Sequence, residues 1–386
     1  ILKALAPAPL PEFSAMSTAA AQSATHSAHA AQAHEWSVPV IDIAALTSES
    51  HAGRFEVVTA LSSALLSDGI FAVVGHGIQD DVMQRALAVA KAALQKGGSA
   101  DTEGWAELQP PPQALRVANF VPAYAENVGR YNGQEAKAAL ESVQKFTVYP
   151  PSWDSDPLVR KYRRNVWPDT AAGAALREAL ETYFGEVQRV SELLHGGLSE
   201  AVGRPKEFIS DMLTPHTEGV LRCLCYHPGH PQMSAHKDLG TTTLVLVDAP
   251  GLEFQPRGRE EWIAAAAPTG ALLVNIGEFF EVWTRGAWRA TPHRVTGISD
   301  QGRCSLAFFS SQGIYCPEDS SPVNLTIQPL AASDDGEAWS GLQSRLGGEA
   351  RQSIEWPAFF QEALARIRSK GATEEISAVR LNAAGA

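Results

Sequence analysis

The stretch that decides the fold lies in the second half of the chain and reads HKDLGTTTLVLV over residues 236–247. Its β-branched part, Thr241–Val247, is typical of a strand. Side chains at positions i and i+2 of a strand point the same way. The spacing therefore predicts that His236 and Asp238 share one face, while Lys237 points outward into solvent. These two side chains are two potential ligands of a metal site.

Short apolar segments separated by turns recur around this stretch, a pattern typical of a β-sandwich or a jelly roll. The predicted strands are Val220–Tyr226, Thr241–Val247, Leu252–Gln255, Trp262–Ala265, Ala271–Ile276, Arg294–Val295 and Arg303–Phe309. Upstream, the patterns predict strands at Val38–Ile43 and Ile70–Val74, and helices at Arg54–Leu66, Asp80–Leu94 and Ala171–Ala201. We expect the last and longest helix to pack behind the sheet.

A third metal-ligand side chain, His293, follows far enough along the chain to return on another strand. Two imidazoles and one carboxylate can occupy one face of a metal and leave the opposite face open, as non-haem Fe(II) enzymes require. The same set suits catalytic zinc, so a zinc hydrolase is an alternative, although the chain has no H-E-x-x-H motif. A jelly-roll binding protein without catalysis is a further alternative.

Arg303 and Ser305 share the inward face of the last predicted strand. A planar guanidinium and a hydroxyl together suit a carboxylate, because the guanidinium can donate to both carboxylate oxygens. Phe309 has the same phase on this strand, which makes it a candidate substrate contact.

Several longer motifs resemble a known family. They are VPVID (38–42), GIFAVVGHGI (69–78), NVWPD (165–169), GALLVNIGE (270–278), VWT (282–284) and RATPHRV (289–295). Together with the H-x-D and R-x-S motifs, they resemble the isopenicillin N synthase-like family of Fe(II)/2-oxoglutarate-dependent dioxygenases. The resemblance extends from about residue 36 to residue 325.

The resemblance implies an α+β fold with a double-stranded β-helix (jelly-roll, cupin-like) core, flanked by helices and preceded by an N-terminal α/β extension. It implies that His236, Asp238 and His293 are the catalytic residues that bind Fe(II), and that Arg303 and Ser305 bind the distal carboxylate of 2-oxoglutarate. The co-substrates would be 2-oxoglutarate and O2, with ascorbate as a reductant.

The implied reaction is the hydroxylation, desaturation or cyclisation of a small organic metabolite, with succinate and CO2 as co-products. The alternative within the same fold is an Fe(II) oxidase that does not use 2-oxoglutarate, since such an enzyme can bind its own substrate carboxylate at the R-x-S pair.

One further 2-oxoglutarate contact is implied by the segment CYHP at residues 225–228. Aligned by its proline with the family's Asn-Tyr-Tyr-Pro, it places His227 where a tyrosine often touches 2-oxoglutarate. The stretch 105–135 supplies Arg116 and Tyr124 as candidate substrate contacts.

Composition limits the possible partners. The 386 residues carry a formal net charge of −12, which argues against nucleic acid or an anionic membrane surface as a partner. No apolar run is long enough to span a bilayer. Four cysteines are too few for a disulfide framework, so we expect them to be buried hydrophobes in a cytoplasmic protein. We expect a monomer with a small-molecule substrate.

Four regions are expected along the chain. Residues 1–35 are predicted to be a flexible tail, because they offer almost no large apolar side chains. Residues 36–215 form a helical and β region that includes the backing helix. Residues 216–325 form the jelly-roll core, and residues 326–386 a C-terminal loop and helix.

Overall fold

The structure is a computed structural model. It describes residues 37–48, 50–95, 120–121, 143–152, 165–213, 218–227, 233–284, 286–296, 302–310, 326–327 and 354–355. From Ser37 onward, the described residues belong to one compact unit. Residues 1–35, Arg116, Tyr124 and the predicted C-terminal helix lie outside the described residues. The region boundaries at 215/216 and 325/326 stay predictions.

Five helices are described, and the three long ones begin and end close to where the apolar periodicity predicts, whereas the two short ones were not predicted. They are α1 (His51–Ser67), α2 (Asp80–Gln95), α3 (Ala171–Ala201), α4 (Phe208–Leu213) and α5 (Glu278–Trp283), and a 3-10 turn covers Ala44–Thr47. Hydroxyl side chains cap two of them: Ser50 accepts from the Gly53 amide at the start of α1, and Thr170 accepts from the Gly173 amide at the start of α3. No helix of the described ranges has the length and apolar character needed to cross a bilayer.

Fourteen strands are described. They are β1 (Val40–Asp42), β2 (Ile70–Val74), β3 (Phe120–Val121), β4 (Val143–Val148), β5 (Val220–Tyr226), β6 (Met233–His236), β7 (Thr242–Val247), β8 (Leu252–Phe254), β9 (Ile263–Ala264), β10 (Leu272–Ile276), β11 (His293–Val295), β12 (Arg303–Phe309), β13 (Thr326–Ile327) and β14 (Ile354–Glu355).

Most of these strands pair in two sheets. The major sheet has eight strands in the order β1-β2-β10-β7-β12-β5-β4-β3, and the minor sheet has four in the order β6-β11-β8-β9. Many strands that are neighbours in a sheet are distant from each other in sequence, as expected for a jelly roll. The predicted α+β fold with a jelly-roll core and helices around it is confirmed, and β1 and β2 extend the major sheet at one edge.

The two faces of the major sheet differ in chemistry. Antiparallel partners point their side chains to the same face, so the register assigns each residue to one side. The outer face is apolar and packs in one core with α1, α2 and α3; it carries Phe146, Cys223, Leu244, Leu246, Leu306 and Phe308. The inner face mixes apolar side chains with polar ones, and its polar side chains include Lys145, Arg222, Thr243, Asn275, Arg303 and Ser305.

The cysteines behave as predicted where they are described. Cys223, Cys225 and Cys304 are free thiols that are fully buried against the helices. Cys316 lies outside the described residues.

The H-x-D motif corrects one expectation. β6 ends at His236 in the minor sheet and β7 begins at Thr242 in the major sheet, so Asp238 lies in a crossing between sheets and not on a shared strand. The prediction that Lys237 is solvated is wrong, because this side chain is buried. The crossing leaves no room for a side chain at Gly277, where a Cβ atom would lie 2.0 Å from the Gly240 carbonyl oxygen.

Candidate active site

The three predicted metal ligands converge. His293 at the start of β11 lies directly opposite His236 at the end of β6, and their ring centroids are 4.4 Å apart. Asp238 reaches the same place from the crossing segment. One ligand atom from each side chain can be chosen so that all three lie within 4.8 Å of one another.

The two imidazoles are oriented by their backbone partners. Nδ1 of His236 lies 2.7 Å from the Ser234 carbonyl oxygen, and Nδ1 of His293 lies 3.1 Å from the Thr291 carbonyl oxygen. A carbonyl can only accept, so each Nδ1 donates and each Nε2 keeps its lone pair. Both Nε2 atoms lie 3.7 Å from Oδ1 of Asp238.

The charge states suit a cation. Burial, followed by the charge of His293, lowers the pKa of His236 to about 4, so its imidazole is neutral. Burial alone would raise the pKa of Asp238. The two histidines and hydrogen bonds from Thr243 and Asn275 outweigh burial, and the pKa lies below its ordinary value.

The second oxygen of Asp238 is already engaged. Oδ2 accepts a hydrogen bond of 2.6 Å from Oγ1 of Thr243 and one of 2.8 Å from Nδ2 of Asn275. Only Oδ1 then faces the two Nε2 atoms, so the carboxylate can offer one oxygen. Two imidazoles that direct Nε2 inward and one such carboxylate are the donor set that leaves a face of Fe(II) open, and the residues fit that metal.

Arg303 and Ser305 lie on the inner face of β12, as predicted. Arg303 is only 1% exposed, and its Nη1 donates to Oγ of Ser305 over 3.2 Å while Nε donates to the Ala249 carbonyl oxygen over 3.2 Å. Within the described ranges, no carboxylate pairs with this guanidinium. A buried charge without a counter-ion is costly, so the surroundings of Arg303 favour an anion beside it.

The strand register places a different side chain beside Arg303 than the proline alignment implies. Tyr226, the last residue of β5, lies opposite Arg303, and the guanidinium carbon lies 5.2 Å from the centroid of its ring. His227 follows the end of the strand. Tyr226 is therefore an aromatic neighbour of Arg303 that the sequence analysis did not single out, and a 2-oxoglutarate contact by His227 stays a prediction.

Phe309 lies at the other end of the inner face. It pairs with Thr243, the donor to Asp238, which agrees with its predicted inward phase. Its ring lies 5.3 Å from the guanidinium carbon of Arg222. Contact between Phe309 and a substrate stays a prediction.

Two family models match this chain. The model described as "2OG-Fe(II) oxygenase superfamily" matches residues 218–312, and the model described as "non-haem dioxygenase in morphine synthesis N-terminal" matches residues 38–95. The first segment contains all three candidate metal ligands together with Arg303 and Ser305.

Similar proteins cover most of the chain. Jasmonate-induced oxygenase 2 of Arabidopsis thaliana is 26% identical over 302 residues, which are 76% of this chain and 72% of that protein. The crystal structure of a full-length Neurospora crassa protein in complex with alpha-KG has a TM-score of 0.63 at 17% identity and covers 85% of this chain and 96% of that protein. The crystal structure of JOX2 with 2OG, Fe and JA has a TM-score of 0.60 at 21% identity and covers 89% and 88%. The two structures share the fold described above.

Proposed function

We propose that His236, Asp238 and His293 bind the iron of this chain. The chain belongs to the 2OG-Fe(II) oxygenase superfamily and is an Fe(II)- and 2-oxoglutarate-dependent dioxygenase of small metabolites. We further propose that Arg303 and Ser305 bind the distal carboxylate of 2-oxoglutarate. The iron assignment is supported by the convergence of two free Nε2 atoms and one free carboxylate oxygen.

The single observation that carries the co-substrate assignment is the environment of Arg303. A guanidinium that is 1% exposed and has no anion partner among the described residues needs a carboxylate supplied by a ligand. Ser305 and Tyr226 flank it, so a hydroxyl and an aromatic ring define the rest of the subsite. A same-fold oxidase that ignores 2-oxoglutarate would have no use for this pocket unless its own substrate filled it.

The chain's own residues supply position and exclusion of water. Thr243 and Asn275 fix the Asp238 carboxylate, and the Ser234 and Thr291 carbonyl groups fix the two imidazole rings. Bound iron supplies the redox chemistry that couples reduction of O2 to oxidation of 2-oxoglutarate and the substrate. The buried inner face keeps bulk water from this reaction.

Hydroxylation, desaturation and cyclisation are all compatible with this site, and ascorbate would keep the iron reduced. Free thiols at Cys223, Cys225 and Cys304 are compatible with a reducing, cytoplasmic location. We propose a monomer that acts on a small molecule, without nucleic acid or membrane as a partner.

An anaerobic titration tests the proposal. Fe(II) and then 2-oxoglutarate are added to the full chain, and the weak visible charge-transfer absorption of the iron chelate is recorded. The wild type is expected to develop the absorption, His236→Ala is expected to lack it, and Arg177→Gln, a change on the exposed face of α3, is expected to keep it. Absence of the absorption in the wild type, or its survival in His236→Ala, would contradict the assignment.

A further inference from the structure

The inner face of the major sheet carries two cationic side chains besides Arg303. Arg222 on β5 lies opposite Ala307 of β12, and Lys145 on β4 lies opposite Leu224 of β5. Both strands are paired on each side, so the register fixes the face on which these side chains start. The iron ligands and Arg303 account for neither of them.

Arg222 lacks an ionic partner among the described residues. Its Nε atom is buried without a hydrogen-bond partner, and its guanidinium carbon lies 5.3 Å from the centroid of the Phe309 ring. Stacking on an aromatic face holds a guanidinium in one plane and leaves its N–H edge free to donate. This is the arrangement that binds a planar anion.

Lys145 adds a second positive charge beside the first. Its side chain is only 2% exposed, and its register position is diagonal to that of Arg222 across β4 and β5. Diagonal neighbours on one face of an antiparallel pair lie about 7 to 8 Å apart.

One 2-oxoglutarate carboxylate cannot serve all of these cations. Arg303 pairs with Tyr226, which is four residues beyond Arg222 along β5, or about 13 Å for an extended strand. The face therefore offers two separate anion positions. One lies at the Arg303 end and the other lies at Arg222. Lys145, which is opposite Leu224, lies between them and is diagonal to Arg222.

We propose that Arg222 and Lys145 bind a carboxylate of the organic substrate, so that the substrate is an organic acid. This inference rests on the proposed function, because it assumes that 2-oxoglutarate fills the position at Arg303. Phe309, which stacks on Arg222, lines the apolar side of the same subsite. The Arg222 guanidinium would donate to both carboxylate oxygens and Lys145 to one of them.

Binding of matched probes tests the subsite. The anaerobic full chain with Fe(II) and saturating 2-oxoglutarate is titrated calorimetrically with a panel of aliphatic and aromatic monocarboxylates, from acetate to 1-naphthaleneacetate, and with the neutral amide of each. At least one carboxylate is expected to bind about tenfold or more tightly than its amide. Arg222→Gln and Lys145→Met are each expected to abolish that preference. Arg177→Gln, which removes an exposed charge from α3, is expected to keep it.

The chelate absorption separates the two levels of the proposal. Each variant must first show it, which proves that the protein is folded and that iron and 2-oxoglutarate are bound. If the wild type lacks the absorption, the proposed function fails. If the absorption is present and no carboxylate outbinds its amide, or if the preference survives in both Arg222→Gln and Lys145→Met, the substrate-acid subsite is overturned.

Discussion

Lys237 and Glu281 form a buried ion pair in which Nζ and Oε2 are 2.7 Å apart, and their side chains are only 4% and 12% exposed. Lys237 lies between two metal ligands in sequence, and Glu281 lies on α5. Backbone hydrogen bonds from the Glu278 and Phe279 amides to the Asp238 and Leu239 carbonyl oxygens join the same two segments. The ion pair therefore ties the ligand-bearing crossing to a packed helix.

Breaking one side of this ion pair is expected to destabilise the protein strongly. Lys237→Met leaves the Glu281 carboxylate buried without its cation, which costs about 3 kcal/mol in the free energy of unfolding. Urea unfolding measures it. The double variant Lys237→Met/Glu281→Leu is expected to recover most of the loss, and Arg177→Gln, which breaks an exposed pair with Glu181, is expected to cost less than about 1 kcal/mol. A loss in Lys237→Met no larger than that in Arg177→Gln would show that the pair is not buried in solution.

Removing the Arg303 guanidinium is expected to weaken 2-oxoglutarate binding without releasing iron. Arg303→Gln should raise the KM for 2-oxoglutarate by about thirtyfold or more, because a carboxylate then enters a buried pocket without its cation. Arg303→Lys keeps the charge but loses the paired donation, so its effect should be smaller. Initial rates of succinate formation give the KM, and chelator competition gives the iron affinity. An unchanged KM in Arg303→Gln would place 2-oxoglutarate elsewhere.

The two donors to Asp238 are expected to control metal affinity. Thr243→Val and Asn275→Leu each remove one hydrogen bond to Oδ2 and free the carboxylate to rotate. Partners of this kind typically contribute tenfold to hundredfold in affinity, and we expect each variant to lose about tenfold. Competition with a chromophoric chelator measures Fe(II) binding. Thr47→Val is a matched control, because that exposed hydroxyl donates to the Ala44 carbonyl oxygen in the 3-10 turn and not to Asp238. Wild-type affinity in both site variants would refute this role.

His195 on α3 is expected to make stability depend on pH. It is fully buried, its Nε2 has no hydrogen-bond partner among the described residues, and burial lowers its pKa from 6.5 to about 4. The unfolded chain therefore binds a proton at a higher pH than the folded chain. The contribution of neutral His195 to the free energy of unfolding is complete above pH 6.5. It declines as the pH falls toward 4, by about 3 kcal/mol in total.

Urea unfolding at pH 7.5 and 5.5 tests whether the free energy of unfolding falls with pH in this direction. The wild type is expected to lose about 1 kcal/mol more than His195→Leu between the two pH values, because the variant cannot take up that proton. Equal losses in the two proteins would mean that His195 is protonated or exposed in the folded state.

The sequence predicted the bounds of helices and strands better than it predicted which distant residues are in contact. The strand Arg303–Phe309 and the helix Ala171–Ala201 begin and end where predicted, because apolar periodicity is a local property. The burial of Lys237 was missed, since its partner Glu281 is far along the chain. The position of Tyr226 opposite Arg303 was not predicted either, because strand register depends on pairing between distant segments.

The supporting residues of the site left only weak signals. Asn275 is the single polar residue in the apolar strand β10, and Arg222 is the single charged residue in the mostly apolar strand β5, whereas Lys145 lies in β4, half of which is polar. A polar side chain in such a strand indicates a buried role. Which group of the site such a side chain contacts depends on strand pairing, and the residue pattern alone does not determine that pairing.

The division of the major sheet into an apolar outer face and an inner face that carries polar side chains has an evolutionary consequence. Folding stability comes mainly from the outer side chains, which pack on the helices, whereas ligand recognition comes from the inner ones. Because neighbouring positions on a strand alternate between these tasks, mutations at every second residue can retune what the enzyme accepts while its thermal resistance is preserved. Such a scaffold can diversify its chemistry by drift on one surface without first acquiring compensating mutations on the other.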